Sequence, residues 1–400
     1  MNQATQNYVR QHADDDVRLL ALRGSKDADV DMTLALQQIQ GRQQARRKLP
    51  SWAAVDAIVY PPHLNMEQCS SEPTARYKAD LCRRLLGASA RRLLDLTGGF
   101  GVDFAFMQDA FAEAVYVERD PQLFAISSQN FAALGLHVTT INGDAADILA
   151  RLATHQSLIY LDPARRDDHG ARTYGIADCT PDVLQLLSLL MQKSDHVLLK
   201  LSPMLDWRKA VADLGPERVA EVHIVSVQNE CKELLVLLSH NPDETALFCI
   251  NDGQMFHIDN VQTAPPAASL AAAIQPSDYL YEPNASLMKA GCFGALGSHY
   301  GLAQVARDSH LFTSPRFVAD FPGRIFTVQT VTTMNKRDLC RTLQGINSAN
   351  IATRNFPLSV AQLRQRLKLA DGGDTYIFAT TLASDNHVLL VCSKTGLPKM

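Results

Sequence analysis

The chain has 400 residues, 46% of them hydrophobic and 20% charged, with a formal net charge of −4. That length allows two or three domains with sizeable cores, and the charge balance excludes a globally basic, nucleic-acid-coating protein, so any basic surface must be local. Eight scattered cysteines form no C-x-x-C pair, which speaks for reduced, buried thiols and against a disulfide framework or a metal site; the polar start and the lack of a long apolar run predict a soluble, cytoplasmic protein.

Residues 1–86 read as a helical region. Leu19, Leu20 and Leu22 open one apolar stripe, and Met32, Leu34, Leu36 and Ile39 another. Gly41-Arg42-Gln43-Gln44-Ala45-Arg46-Arg47-Lys48 is the most basic short run; it reads as a solvated helix face, with an RNA contact as the alternative. Prolines at 50, 61 and 62 interrupt the helices. In Glu67-Gln68-Cys69-Ser70-Ser71-Glu72-Pro73, Ser71 is a candidate N-cap and Pro73 suits a first helical turn. This helix precedes the first strand, so its start is either a wall of the site described next or an ordinary cap.

Residues 91–103 form the stretch on which the chain is organised. An apolar run ends in Asp95, followed by Leu96-Thr97-Gly98-Gly99-Phe100-Gly101 and then an apolar segment at helical spacing. This is a buried parallel strand feeding a helix through a glycine-rich elbow. Glycines allow the sharp turn and leave room for a ligand, and the helix start offers free N–H groups. A dinucleotide fingerprint needs a small residue where Phe104 stands. Asp95 would repel a pyrophosphate but suits the ammonium and sulfonium of S-adenosylmethionine. That cofactor is expected, on Asp95, Thr97, Gly98, Gly99 and Gly101, and NAD is not; a ligand-free structural turn is the alternative.

Strands and helices then alternate in the doubly wound manner. The second strand, 114–118, ends in Glu118, 17 residues beyond Gly101, near the offset at which an acid reaches ribose hydroxyls. The third, 137–141, leads to Asn142-Gly143-Asp144; Asp144 either accepts from the adenine amino group or caps the next helix. The fourth, 158–161, runs into Asp162-Pro163-Ala164-Arg165-Arg166-Asp167-Asp168, and the fifth spans 196–201. Segments 220–227 and 233–238 are joined by a link too short for a crossover helix, so the last strand must run antiparallel. A hairpin around Asp252-Gly253, a linker at Ala264-Pro265-Pro266 and a strand-to-helix turn at 279–290 follow. From 323 a small α+β module contains a strand at 325–328, an amphipathic helix at 359–369 and a hairpin at 375–392.

Reacting groups gather at the carboxyl ends of the parallel strands, and methyl transfer is an in-line displacement in which the protein positions the nucleophile and excludes water. Asp162 and the carbonyl fixed by Pro163 are the candidate catalytic pair, as in the Asn/Asp-Pro-Pro-aromatic loops of amino-methylating enzymes. Here Ala164 and Arg165 replace the second proline and the aromatic residue, so nothing in the motif can stack on a flipped base. Arg165 and Arg166 suit a substrate phosphate or pair with Asp167 and Asp168. His12, His63 and His310 stand singly in the sequence and read as structural or exposed.

Asp95-Leu96-Thr97-Gly98-Gly99-Phe100-Gly101, Glu118, Gly143-Asp144 and Asp162-Pro163-Ala164-Arg165 resemble the ordered motifs of class I S-adenosylmethionine-dependent methyltransferases. Glu67-Gln68-Cys69-Ser70-Ser71-Glu72, Tyr160-Leu161-Asp162-Pro163-Ala164-Arg165-Arg166, Tyr281-Glu282-Pro283-Asn284-Ala285-Ser286 and Asp371-Gly372-Gly373-Asp374-Thr375-Tyr376 resemble, more narrowly, the bacterial THUMP-like-domain methyltransferases. The resemblance implies an N-terminal helical region (1–86) and a Rossmann-like seven-stranded methyltransferase sheet (87–242). A hairpin, linker and ferredoxin-like segment (243–322) and a THUMP-like module (323–400) follow. THUMP is an RNA-binding fold of tRNA- and rRNA-modifying enzymes, so RNA is the implied partner, with no metal and no membrane. The alternatives are a non-catalytic S-adenosylmethionine- and RNA-binding factor, or a methyltransferase for a protein or small molecule.

Overall fold

Seven apolar runs become strands in the computed structural model, which describes residues 1–165, 175–265 and 267–395. They are β1 (Arg92–Asp95), β2 (Glu113–Glu118), β3 (Thr139–Asn142), β4 (Gln156–Leu161), β5 (Ser194–Leu201), β6 (Val219–Val227) and β7 (Glu230–Ser239). Their spatial order is β3-β2-β1-β4-β5-β7-β6. Neighbours from β3 to β5 are parallel. As the short link required, β7 runs antiparallel to β5, with Leu234 opposite Leu201. The central β4 is buried along its whole length, as expected of a parallel strand covered on both faces.

Backbone contacts divide the chain into two units, Met1–Val222 with Lys232–Asp243, and His223–Cys231 with Glu244–Met400. The first therefore includes the N-terminal helices α1 (Gln3–Gln11), α2 (Val17–Arg23), α3 (Met32–Lys48), α4 (Pro50–Ala53), α5 (His63–Gln68) and α6 (Glu72–Leu86). Of the expected leucine stripe only Leu20 is buried, with Tyr8, Val9, Ala35 and Ile39. Leu19 and Leu22 are exposed, because three residues apart they share the opposite face of a short helix. The basic run is consumed internally: Arg42 pairs with Asp56 and Arg46 with Asp14, and the Lys48 ammonium donates to the carbonyls of Met66 and Glu67. Only Arg47 of the run's end remains exposed beside Arg46. Ser71 occupies the N-cap of α6 without a side-chain cap bond. The extended segment before α5 is clamped to the sheet domain by Asn130, whose side chain both accepts from the Val59 N–H and donates to the Val59 carbonyl.

The remaining helices of this unit are α7 (Val102–Met107), α8 (Pro121–Ala133), α9 (Ala145–Arg151), α10 (Val183–Lys193) and α11 (Trp207–Leu214). The single histidines find partners: His12 meets Asp15 at 2.7 Å, His63 meets Glu67 at 3.7 Å, and in the second unit His310 stacks on Phe293. Five cysteines are buried as expected, but Cys69 and Cys231 are half-buried and Cys340 is exposed.

In the second unit, β8 (Ala246–Asn251) and β9 (Gln254–Ile258) form the Asp252-Gly253 hairpin. They follow β6 in the strand order, so that among the described residues the sheet counts nine strands where seven were expected. The rest comprises β10 (Tyr279–Pro283), α12 (Ala285–Ala290), α13 (Phe293–Tyr300), β11 (Ala303–Gln304), β12 (Phe312–Ser314), β13 (Gly323–Thr332), α14 (Lys336–Thr342), β14 (Asn350–Arg354), α15 (Val360–Leu367), β15 (Thr375–Thr381) and β16 (His387–Lys394). Its sheet runs β11-β12-β10-β13-β16-β15-β14. Phe378 and Leu390 point to one core and Ile377 and Leu389 to another, the alternation that two covered faces require. α14 and α15 cover the second face through Leu339, Leu363 and Leu367.

The Tyr281–Ser286 motif proves structural in its contacts: the buried Glu282 carboxylate holds Arg324 and Arg354, and Asn284 caps α12. Gly372 and Gly373 both adopt positive φ, which explains the paired glycines at that turn. Among the described residues no helix is long and apolar enough to cross a membrane, and no cluster of His, Cys, Asp or Glu could hold a metal ion.

Candidate active site

β1 delivers Asp95 to the carboxyl edge of the sheet, where its side chain is 1% exposed and accepts from the Thr97 N–H at 3.0 Å. The turn that follows is built against an aromatic trio, Phe104, Tyr116 and Phe131, with ring centroids 5.0–5.5 Å apart. A Cβ on Gly98 would lie 2.0 Å from the Tyr116 ring, and one on Gly101, at φ +79, would lie 2.5 Å from Phe131. At these two positions a side chain is excluded by internal packing, a reason for glycine that the sequence reading did not contain. Gly99 differs: at φ +57 its Cβ would meet nothing closer than the Thr97 carbonyl at 3.9 Å, so its open side is the one a ligand can approach.

Neighbouring strand ends fix the turn. The Gly99 N–H donates to Glu118 Oε2 at 2.7 Å and the Asp120 N–H to Glu118 Oε1 at 2.8 Å. Tyr116 and Ser127 hydroxyls both donate to the Gly99 carbonyl. Asp144 caps α9, accepting from the Ala146 N–H at 2.9 Å, and it also lines the cavity. The Asp162 N–H donates to the Thr97 hydroxyl at 2.6 Å.

Asp95, Thr97, Gly98, Gly99, Gly101, Glu118, Asp144, Asp162 and Pro163 all line one cavity of about 1080 Å³. Asn65, Gln68, Cys69 and Ser70 line it as well, so the start of the Glu67–Glu72 motif is a wall of the site. The backbone of Ala164-Arg165 pairs with Cys179-Thr180. The Arg165 side chain, Arg166, Asp167 and Asp168 lie outside the described residues.

Sequence reasoning missed a buried charge network behind the cavity. Lys78 of α6, fully buried, lies 2.6 Å from Glu233 Oε1 and 3.1 Å from Asp103 Oδ1. Lys200, near the end of β5, lies 2.5 Å from Asp162 Oδ2 and 3.7 Å from Asp103 Oδ2. Ser70 and Tyr160 hydroxyls each donate to Asp103 Oδ2 at 2.8 Å. The available signal was a lone charge inside an apolar run, as in Val197-Leu198-Leu199-Lys200-Leu201; such charges are rarely buried unless paired.

The titration behaviour follows from these contacts. Burial, reinforced by the carboxylates of Asp103, Asp162 and Glu118, pushes Asp95 well above the ordinary range, against the Thr97 hydrogen bond. Burial also opposes ionisation of Asp103, but Lys78 and Lys200 outweigh it and hold the carboxyl below its usual value. Among the described residues Asp95 enters no ion pair, so a cationic ligand would relieve it. That is the donor chemistry an S-adenosylmethionine site needs, and the residues present fit the group.

Comparisons with known proteins agree with this geometry. Residues 323–394 match the THUMP domain-like family model, and residues 279–322 match a ferredoxin-like domain. A crystal structure of a methyltransferase candidate from Porphyromonas gingivalis W83 is 32% identical, covers 98% of this chain and 98% of that one, and superposes with a TM-score of 0.84. An uncharacterised S-adenosylmethionine-dependent methyltransferase of Mycobacterium tuberculosis H37Rv is 25% identical over 310 residues, 76% of this chain and 79% of the relative. Its counterpart in strain CDC 1551 matches equally. Motif order, sheet topology and full-length likeness together place the chain in the family of class I S-adenosylmethionine-dependent methyltransferases that carry a THUMP-like domain.

Proposed function

We propose that this methyltransferase acts on RNA, a tRNA or an rRNA. The observation that carries the reading is the THUMP domain-like match over 323–394, a segment with nine Lys and Arg against four Asp and Glu in a chain that is acidic overall. Lys336 and Arg337 on α14, with Arg366 on α15 and Lys368 just after it, are exposed and offer phosphate contacts.

In the first unit, Asp95 takes the cationic amino-acid end of the cofactor, Glu118 the ribose hydroxyls and Asp144 the adenine amino group. Thr97, Gly98, Gly99 and Gly101 shape the turn beneath it. When bound, S-adenosylmethionine supplies an electrophilic methyl group. Asp162 and Pro163 face the acceptor at the end of β4, and Arg165 and Arg166 serve the substrate phosphate.

Filter binding of the full chain to total tRNA and rRNA tests the RNA reading. Wild type should bind with an affinity that falls as salt rises. Arg337→Glu combined with Arg366→Glu should weaken binding about tenfold or more while S-adenosylmethionine affinity stays the same. Binding indifferent to both salt and the charge reversal would remove RNA from the account.

A further inference from the structure

One wall of the cavity holds a cation, Lys200, beside the residue expected to meet the acceptor. Its ammonium is 2.5 Å from Asp162 Oδ2 with the side chain 11% exposed, whereas the Asp162 side chain is 39% exposed. Both residues line the cavity. The other end of the network is closed, Lys78 being fully buried between Asp103 and Glu233. Two ammonium groups and the two carboxylates of Asp103 and Glu233, taken out of water, carry a desolvation cost that well-packed apolar residues would avoid. The open end of the network supplies a reason for keeping them.

A fixed ammonium discriminates between acceptors. An amine attacks as neutral nitrogen and becomes positive as its new bond forms, so a neighbouring ammonium opposes the reaction. A hydroxyl must lose its proton, and its oxygen gathers negative charge on the way, which a preorganised cation stabilises. The strand-four motif points the same way, since Pro163-Ala164 is followed by no aromatic residue that could stack on an extruded base. In an RNA chain the internal hydroxyl is the ribose 2′-OH.

We infer that the acceptor is the 2′-hydroxyl of an RNA ribose, with Asp162 receiving its proton and Lys200 stabilising the oxygen as it becomes anionic. This rests on the RNA reading above. The C–O bond forms as the methyl C–S bond breaks, the sulfur keeps the electron pair and becomes a neutral thioether, and the hydroxyl proton passes to the Asp162 carboxylate. Asp162, partly exposed, releases that proton to water. Lys200 remains a cation throughout: burial lowers its pKa, but the carboxylates of Asp162, Asp103 and Glu233 outweigh burial and raise it. Lys78 and Glu233 are positioning residues, acting through Asp103 on the place of Lys200.

The test uses the full-length protein, S-adenosylmethionine with a deuterated methyl group, and tRNA plus rRNA from a strain lacking the gene. Nucleoside mass spectrometry should find the label on ribose, at a linkage that resists alkaline hydrolysis. Lys200→Met should lower kcat about a hundredfold with S-adenosylmethionine affinity nearly unchanged, and Lys200→Arg should restore part of the rate. Asp162→Asn, at the exposed end of the pair, should show the same split if Lys200→Met does not fold. Label on a base overturns the hydroxyl assignment and leaves the RNA reading standing, whereas no label in any RNA overturns both. Full kcat in Lys200→Met or Asp162→Asn overturns the roles given to that pair.

Discussion

The Asp162 N–H and the Thr97 hydroxyl, 2.6 Å apart, tie the loop after β4 to the turn after β1. One side chain thus sets the distance between the turn proposed to hold the cofactor and the loop proposed to meet the acceptor. Thr97→Val keeps the shape but leaves the amide unpaired, at a cost of about 1–3 kcal/mol. We expect a lowered Tm and a kcat/KM down about tenfold through misplacement of the loop. Thr97→Ser should behave like wild type in both thermal melts and methyl-transfer assays.

Burial stores instability in the Asp95 carboxylate, which a cationic ligand would release. Its folded pKa is raised, so the folded state prefers the protonated carboxyl. That preference is fully expressed below the ordinary carboxylate range and is lost as pH climbs from there through the raised value. Asp95→Asn cannot ionise and keeps an acceptor for the Thr97 N–H. Its Tm should exceed that of wild type by a margin that grows with pH and then levels off, about 1.4 kcal/mol for each unit of the shift. The same variant should bind S-adenosylmethionine more weakly by calorimetry. Wild-type affinity should rise with pH over that window, because a cationic ligand binds the ionised carboxylate.

Gly99 and Gly101 separate folding from binding. Gly101→Ala meets both positive φ and the Phe131 ring, and should destabilise the protein by about 2–4 kcal/mol. Gly99→Ala meets only backbone strain, about 1 kcal/mol, and should remain folded while losing S-adenosylmethionine affinity. Chemical denaturation and calorimetry on the pair check this; equal loss of stability in both would refute it.

Lys78→Met removes the ammonium 2.6 Å from the buried Glu233 carboxylate and leaves Asp103 with Lys200 as its cation, and should cost about 3–5 kcal/mol. Adding Glu233→Leu removes that carboxylate, so the double variant should recover part of that stability in urea melts. Failure to recover would mean that the pair is not energetically coupled.

Much of the architecture was legible because it rests on local pattern. Short apolar runs gave the parallel strands, and the brief link after Val227 dictated the reversal of β7. What escaped was the product of long-range encounter. Lys78 and Glu233 meet across 155 residues, and neither has a motif around it. The space denied to side chains at Gly98 and Gly101 comes from Tyr116 on β2 and Phe131 on α8, distant residues that local sequence did not bring to the turn. Leu19 and Leu22 misled for the opposite reason: a two-turn helix buries one narrow face, and hydrophobic composition alone does not say which. The extra hairpin β8–β9 was read correctly as a hairpin, but nothing in its residues announced which strand edge it would join.

The reversal of β7 matters beyond topology. Parallel strands bring their last residues to the reactive edge, so their chemistry sits where each strand leaves the sheet. A strand threaded the other way brings its opening residues there instead, and Glu233 stands one position before Leu234, the partner of Leu201. Because successive residues of a strand face opposite sides, sliding β7 by a single step would present leucine to Lys78 and turn the carboxylate away. The enzyme's buried charge balance is therefore set by strand phase as much as by residue identity.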